Sequence, residues 1–144
     1  MHKNQSFEEK VEAITKLFNE CRDQDEKYMK LMDLGRKLPG MTEEQKCPDN
    51  IVKGCQSTMY LDACLDEEGK VVFQASSDAL ISSGLAAVLI SVYSGEKPEV
   101  ILMKEPEYLK ELGISASLSP NRANGLYSIH LRMKQDALRL LSGK

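Results

Sequence analysis

Four cysteines carry the soft nucleophilic chemistry of this sequence: Cys21, Cys47, Cys55 and Cys64. No two form a Cys-x-x-Cys pair, the spacing used by zinc knuckles and thioredoxin-type redox sites. Cys55 lies in Lys53-Gly54-Cys55-Gln56-Ser57, between a short apolar segment and a run of strand composition. Gly54 permits a tight turn and close approach of another backbone. Gln56 and Ser57 are polar donors able to stabilise a thiolate, and Lys53 adds positive charge. A loop thiol in such surroundings has the features of a reactive cysteine. Cys21 is expected on the apolar face of a helix and Cys64 on a strand. Both read as packed residues, since free cysteine is usually buried and inert. Cys47 falls in a polar loop, open either to simple exposure or to a redox or metal role.

The remaining chemistry is sparse. Of the two histidines, His2 stands at the N-terminal end and His130 falls inside the last helix, as a solvated or half-buried residue. Neither is the positioned imidazole that a Cys–His nucleophile requires. The sequence has no Gly-x-Ser-x-Gly, phosphate loop or His-Glu-x-x-His. Cys55 is therefore expected to accept or pass a group while a partner supplies the harder chemistry. Asp78 is expected in the first turn of a helix, where a carboxylate suits the helix dipole. Arg122 begins the last helix, where a cation opposes that dipole. It is either a solvated residue or one held by a salt bridge or a partner.

These residues need elements to position them. Ser6-Phe7-Glu8-Glu9 reads as a capping box, and Phe7, Val11, Ile14, Leu17, Phe18 and Cys21 follow at helical spacing. A second helix is expected over Glu26–Lys37, with Tyr28, Leu31, Met32 and Leu38 inward, stopped by Pro39-Gly40. Met41–Asn50 is a polar loop. Thr58–Leu65 and Lys70–Ala75 flank the turn Asp66-Glu67-Glu68-Gly69, which predicts a hairpin. Ser76 or Ser77 should cap a third helix, Asp78 to about Ser94, apolar enough to lie centrally. Short helices are expected at Pro98–Met103 and Pro106–Leu112. The last helix opens at Pro120 behind a Ser119 cap, with Leu126, Ile129, Met133, Ala137 and Leu140 on one face. Segregated strands and helices predict an α+β fold, a small antiparallel sheet packed against several helices. One domain over 1–144 is expected.

Composition narrows the function classes. The chain has 144 residues, a net charge of −3 and 28 % charged residues. A mildly acidic chain is a poor binder of nucleic acid, which needs clustered Lys and Arg. The longest apolar run, Gly84–Ser94, is too short for a bilayer span of about 20 residues. The opening residues carry no apolar signal core. The expected location is cytoplasmic, with no membrane association and with the cysteines reduced.

Several blocks together resemble the SufE family. They are Leu34-Gly35-Arg36-Lys37-Leu38-Pro39, Asn50-Ile51-Val52-Lys53-Gly54-Cys55-Gln56-Ser57, Ser77-Asp78-Ala79, Tyr93-Ser94-Gly95-Glu96-Lys97-Pro98 and Leu118-Ser119-Pro120-Asn121-Arg122-Ala123-Asn124-Gly125-Leu126. The resemblance implies an α+β fold akin to the scaffold IscU. It implies a sulfur carrier and activator rather than an enzyme. Such a protein takes persulfide sulfur from a SufS-type, pyridoxal-phosphate-dependent cysteine desulfurase and passes it on to an iron–sulfur scaffold of the SufBCD type. No cofactor of its own is implied, because the pyridoxal phosphate belongs to the desulfurase. Cys55 matches the persulfide cysteine. Gly54, Gln56 and Ser57 would shape its loop, and Asp78 and Arg122 would support the loop or dock the partner. Tyr60 stands where the family commonly has Trp, Ser83 where Lys often precedes the glycine of the third helix, and Asn121 and Ala123 flank Arg122. The alternative is an IscU-like iron–sulfur scaffold, needing about three cysteines and a His or Asp around metal. Such chains carry a late His-Cys pair, and here no cysteine follows Cys64.

Overall fold

A computed structural model describes residues 6–114 and 118–143. Its elements are α1 (Phe7–Asn19), α2 (Gln24–Arg36), a 3-10 turn (Pro48–Asn50), β1 (Met59–Leu65), β2 (Val71–Ser77), α3 (Leu80–Tyr93), α4 (Pro98–Met103), α5 (Tyr108–Leu112) and α6 (Pro120–Leu141). The fold is α+β, as expected. Helix α3 is the hub. Leu85, Ala86, Val88, Leu89, Val92 and Tyr93 along it are buried, and α1, α2, β2 and α6 all pack on it.

The hairpin pairs β1 with β2 antiparallel, from Met59 opposite Ser77 to Leu65 opposite Val71. Side chains alternate across a strand, so Met59, Leu61 and Ala63 face the core with Val71, Phe73 and Ala75. That alternation sends Cys64 outward. It is exposed, not packed as the strand composition suggested. Ile51 bridges Tyr60 in antiparallel fashion. The chain ahead of Cys55 is thus laid along the free edge of β1.

Local capping sets several boundaries. Ser6 and Glu9 form the expected capping box at 3.1 and 2.8 Å. Helix α1 stops at Asn19, so Cys21 follows the helix instead of lying on it. Its thiol is half-buried. Asp23 accepts from the Glu26 N–H at 2.9 Å and starts α2 two residues early. Ser76 and Ser77 do not cap α3. Strand β2 runs through both, and the Ser77 hydroxyl instead donates to Thr58 O at 2.6 Å and accepts from Ala79 N at 3.2 Å. Asp78 consequently precedes α3 rather than sitting in its first turn. Helix α6 begins as expected, with Ser119 accepting from Arg122 N at 3.3 Å.

Helices α2 and α3 touch backbone to backbone. A Cβ on Gly35 would lie 2.7 Å from Leu80 O, and one on Gly84 would overlap the Leu31 carbonyl. Of the residues expected inward on α2, Met32 and Leu38 pack against the core, and Gly35 allows the close approach. Leu31 is buried, while Tyr28, expected inward, is exposed. Ser83 is also buried, so its departure from the family pattern concerns packing rather than an exposed surface. His130, expected solvated or half-buried, is 5 % exposed. Its ring lies 5.2 Å from that of Tyr93, and burial pulls its pKa below the ordinary value.

The α2–α3 contact gives a direct test. Gly84→Ala forces the two helices apart. Overpacking of this kind should lower unfolding free energy by about 1–3 kcal/mol in urea titration. An unchanged midpoint would contradict the packing.

Candidate functional site

One face of α6 forms the bed for the segment that carries Cys55. Positions 122, 125, 129 and 132 recur at the three- and four-residue spacing that places side chains on one helical face. Arg122 lies at the near end. Its Nη1 donates to Ser57 Oγ at 2.8 Å and to Ser82 Oγ at 2.5 Å. One guanidinium thus joins the loop, α3 and α6. At the far end Arg132 donates from Nη2 to Asn50 Oδ1 at 3.1 Å and from Nη1 to Ile51 O at 3.3 Å. Between these ends, Val52 N donates to Met59 O at 2.8 Å.

Glycines make the close approach possible. Gly54 has a φ of +91°, and a Cβ there would sit 2.5 Å from Ser128 Oγ. An L-residue would be both strained and blocked. Gly125 lies directly beneath the sulfur, where its carbonyl accepts from the Cys55 thiol at 3.8 Å. A cavity of about 10 Å³ adjoins the thiol, lined by Ser82, Leu85, Asn121, Arg122, Gly125 and Ile129. This is room for one further atom of about the size of a water.

The electrostatics oppose one another. Burial pushes the Cys55 thiol above its ordinary pKa, and the Arg122 guanidinium pulls it back only in part. Among the described residues no side chain donates to the sulfur. Neither Gln56 nor Ser57 makes the donation to the sulfur that the sequence suggested: Gln56, like Lys53, is exposed, and Ser57 Oγ accepts from Arg122. The resting group is a thiol that donates to a backbone carbonyl.

The structure brings Gly54, Cys55, Ser57 and Arg122 together, with Gln56 at the edge of the cavity. It does not bring in the Asp78 side chain. That carboxylate is exposed, and only its backbone N–H reaches Thr58 O, at 3.4 Å. Ser82, Gly125, Ser128 and Arg132 are site residues that sequence reasoning missed. The periodic face of α6 running on from Arg122 is the signal that could have found Gly125 and Arg132. Cys47 is half-buried and Cys64 exposed, and all four thiols are free. Among the described residues, no group of three or more His, Cys, Asp or Glu is placed to hold a metal ion. Nor is any described helix long and apolar enough to cross a membrane.

The family model described as "SufE: Fe-S metabolism associated domain" matches residues 12–137, and the chain belongs to that family. It is 38 % identical over 131 residues to SufE-like protein 1, chloroplastic/mitochondrial, of Arabidopsis thaliana, covering 91 % of this chain. The chain spans 35 % of that plant protein's length. It is also 36 % identical over 141 residues to an uncharacterized SufE-like protein of Synechocystis sp., covering 98 % of this chain and 88 % of that one. A solution structure of a hypothetical protein from Thermus thermophilus shares the fold. Its TM-score is 0.74 at 22 % identity, over 92 % of this chain and 96 % of that one.

The burial of Cys55 predicts its reactivity. In the free protein, alkylation of Cys55, followed by peptide mapping against pH, should titrate with a midpoint above the ordinary 9.0. A midpoint well below that value would contradict a half-buried thiol hydrogen-bonded to a carbonyl.

Proposed function

We propose that this protein is a sulfur acceptor for a SufS-type cysteine desulfurase, carrying sulfur as a persulfide on Cys55. The placement of Cys55 carries the reading. It is the cysteine held on a loop that α6 grips at both ends, with an atom-sized cavity beside the sulfur. Membership of an iron–sulfur metabolism family supports it.

The chemistry is a thiol–persulfide exchange. The Cys55 sulfur, deprotonated, attacks the outer sulfur of the desulfurase's cysteine persulfide. The new bond joins Cys55 to that sulfur. The old sulfur–sulfur bond breaks, and the desulfurase cysteine leaves as a thiolate that takes up the proton. One thiol and one persulfide become one persulfide and one thiol, so no external oxidant is needed. The rate follows the thiolate fraction and access to the attacked sulfur. Both are held low in the free protein by burial and by the Gly125 carbonyl. Docking must therefore lift or deprotonate Cys55, which confines transfer to the partner's site.

Clearing its persulfide stimulates the desulfurase, and the sulfur then passes to an iron–sulfur scaffold of the SufBCD type. Pyridoxal phosphate stays with the desulfurase. A cytoplasmic setting, where thiols remain reduced, suits this chemistry. Arg122 supports the loop through Ser57 and Ser82. Asp78, exposed beside the loop's end, is available for docking. An IscU-like scaffold is less well supported, because the described cysteines do not gather around a common point.

The test is intact-mass analysis after incubating the reduced protein with a SufS-type desulfurase and cysteine. One added sulfur on Cys55, absent from Cys55→Ser, is expected, together with faster desulfurase turnover. Neither sulfur transfer nor stimulation with a verified cognate desulfurase would overturn the proposal.

A further inference from the structure

At the far end of the Cys55 loop, beside the Ile51–Tyr60 bridge and the Val52 N–H bond to Met59 O, one side chain joins α6 to the segment. Arg132 uses its whole fork. Nε donates to Asp136 Oδ1 at 3.0 Å, Nη1 to Ile51 O at 3.3 Å, and Nη2 to Asn50 Oδ1 at 3.1 Å and Leu61 O at 3.2 Å. It thereby ties α6 to β1 and to the residues that lead into Cys55. Its side chain is 16 % exposed and that of Asp136 6 %. Asp136 Oδ2 is buried with no hydrogen-bond partner among the described residues. A half-satisfied buried carboxylate is unfavourable. Its Oδ1 is spent on orienting Arg132, with Arg139 3.8 Å away. Only a planar guanidinium can serve acceptors spread over three elements in this way. A lysine ammonium is a point charge on a flexible stem.

We infer that Arg132, oriented by Asp136, is a second positioning residue for Cys55, fixing the approach of the loop as Arg122 fixes its exit. The inference rests on the sulfur-acceptor reading. Arg122 lies beside the sulfur and acts on its charge. Arg132 sits ten residues further along α6, about 15 Å at 1.5 Å per residue. Its effect is therefore on where the sulfur is held. Attack on a sulfur–sulfur bond is sensitive to such placement, since misplacement by about 1 Å can cost on the order of a hundredfold in rate.

Two variants loosen this end of the loop in different ways. Arg132→Lys keeps the charge and loses the fork. Asn50→Ala removes one acceptor, together with the Asn50 Nδ2 donation to Gln45 O at 2.7 Å, and leaves Arg132 in place. Leu112→Ala, a core change in α5, controls for general loss of stability. Three quantities are read with full-length protein and a SufS-type desulfurase: affinity for the desulfurase, the single-turnover rate of sulfur transfer, and the pH profile of Cys55 alkylation without partner. For Arg132→Lys, transfer should slow by about tenfold or more, with affinity within about twofold. Its alkylation should become faster, with a midpoint falling toward 9.0 as the thiol loses burial. Asn50→Ala should move the same way to a smaller extent, and Leu112→Ala should move neither rate. Unchanged transfer and alkylation in Arg132→Lys would overturn the inference. So would a loss of transfer matched by an equal loss of affinity, which would make Arg132 a docking residue. A wild-type protein that takes no sulfur would instead overturn the sulfur-acceptor reading itself.

Discussion

Arg122 and Arg132 project from one face of α6 and hold the two ends of the segment that carries Cys55. Most other features of the site follow from that contact. The segment must lie close against the helix, so Gly54 takes a left-handed conformation against Ser128 and Gly125 lies beneath the sulfur. The helix must be fixed in turn. Leu126, Ile129, Met133 and Ala137 are buried along it, and Arg122 fastens it to α3 through Ser82. Hydrogen bonds from a charged donor contribute about 1.5–3 kcal/mol each when desolvated. The loop is thus held by charged bonds to short polar side chains and a backbone carbonyl, together with the burial of Val52 in the core.

This construction leaves Cys55 half-buried, with its sulfur against a backbone carbonyl. Burial and the Gly125 carbonyl both favour the protonated thiol, and Arg122 only partly offsets them. A persulfide is easily lost to small thiols and oxidants, so a carrier gains from a sulfur that is enclosed. The same enclosure slows uncatalysed loading. The two demands are reconciled if the partner unlocks the loop. A bed with short polar ties suits that role, because the Arg122 ties beside the sulfur can be exchanged for contacts with the partner while Arg132 keeps the approach of the loop in place.

What is legible in the sequence is explained by the range of the interactions. The Ser6 capping box, the Ser119 cap with Pro120, and the bounds of α4 rest on contacts within a few residues, and the sequence reading matches them. The Gly-Cys-Gln-Ser core marks the loop that α6 braces. Differences arise where a distant partner decides the outcome. Ser77 reads as a helix cap, but its hydroxyl is recruited by Thr58 across the hairpin. Cys64 turns outward because strand register, not composition, sets the face. His130 is buried against Tyr93, far away in sequence. Arg132 escapes notice because its loop and strand acceptors lie 71 to 82 residues away. Locally, only its place on the Arg122 face separates it from a solvated helix arginine.

If sulfur is carried on Cys55, a crystal structure of the protein loaded by a desulfurase and separated from it will show where that sulfur lies. One extra atom is expected on Cys55 Sγ, lying in the small cavity against Ser82, Leu85, Gly125 and Ile129, with the Arg122 and Arg132 contacts intact. An unmodified Cys55, with sulfur found on Cys47 or Cys64 instead, would contradict that expectation.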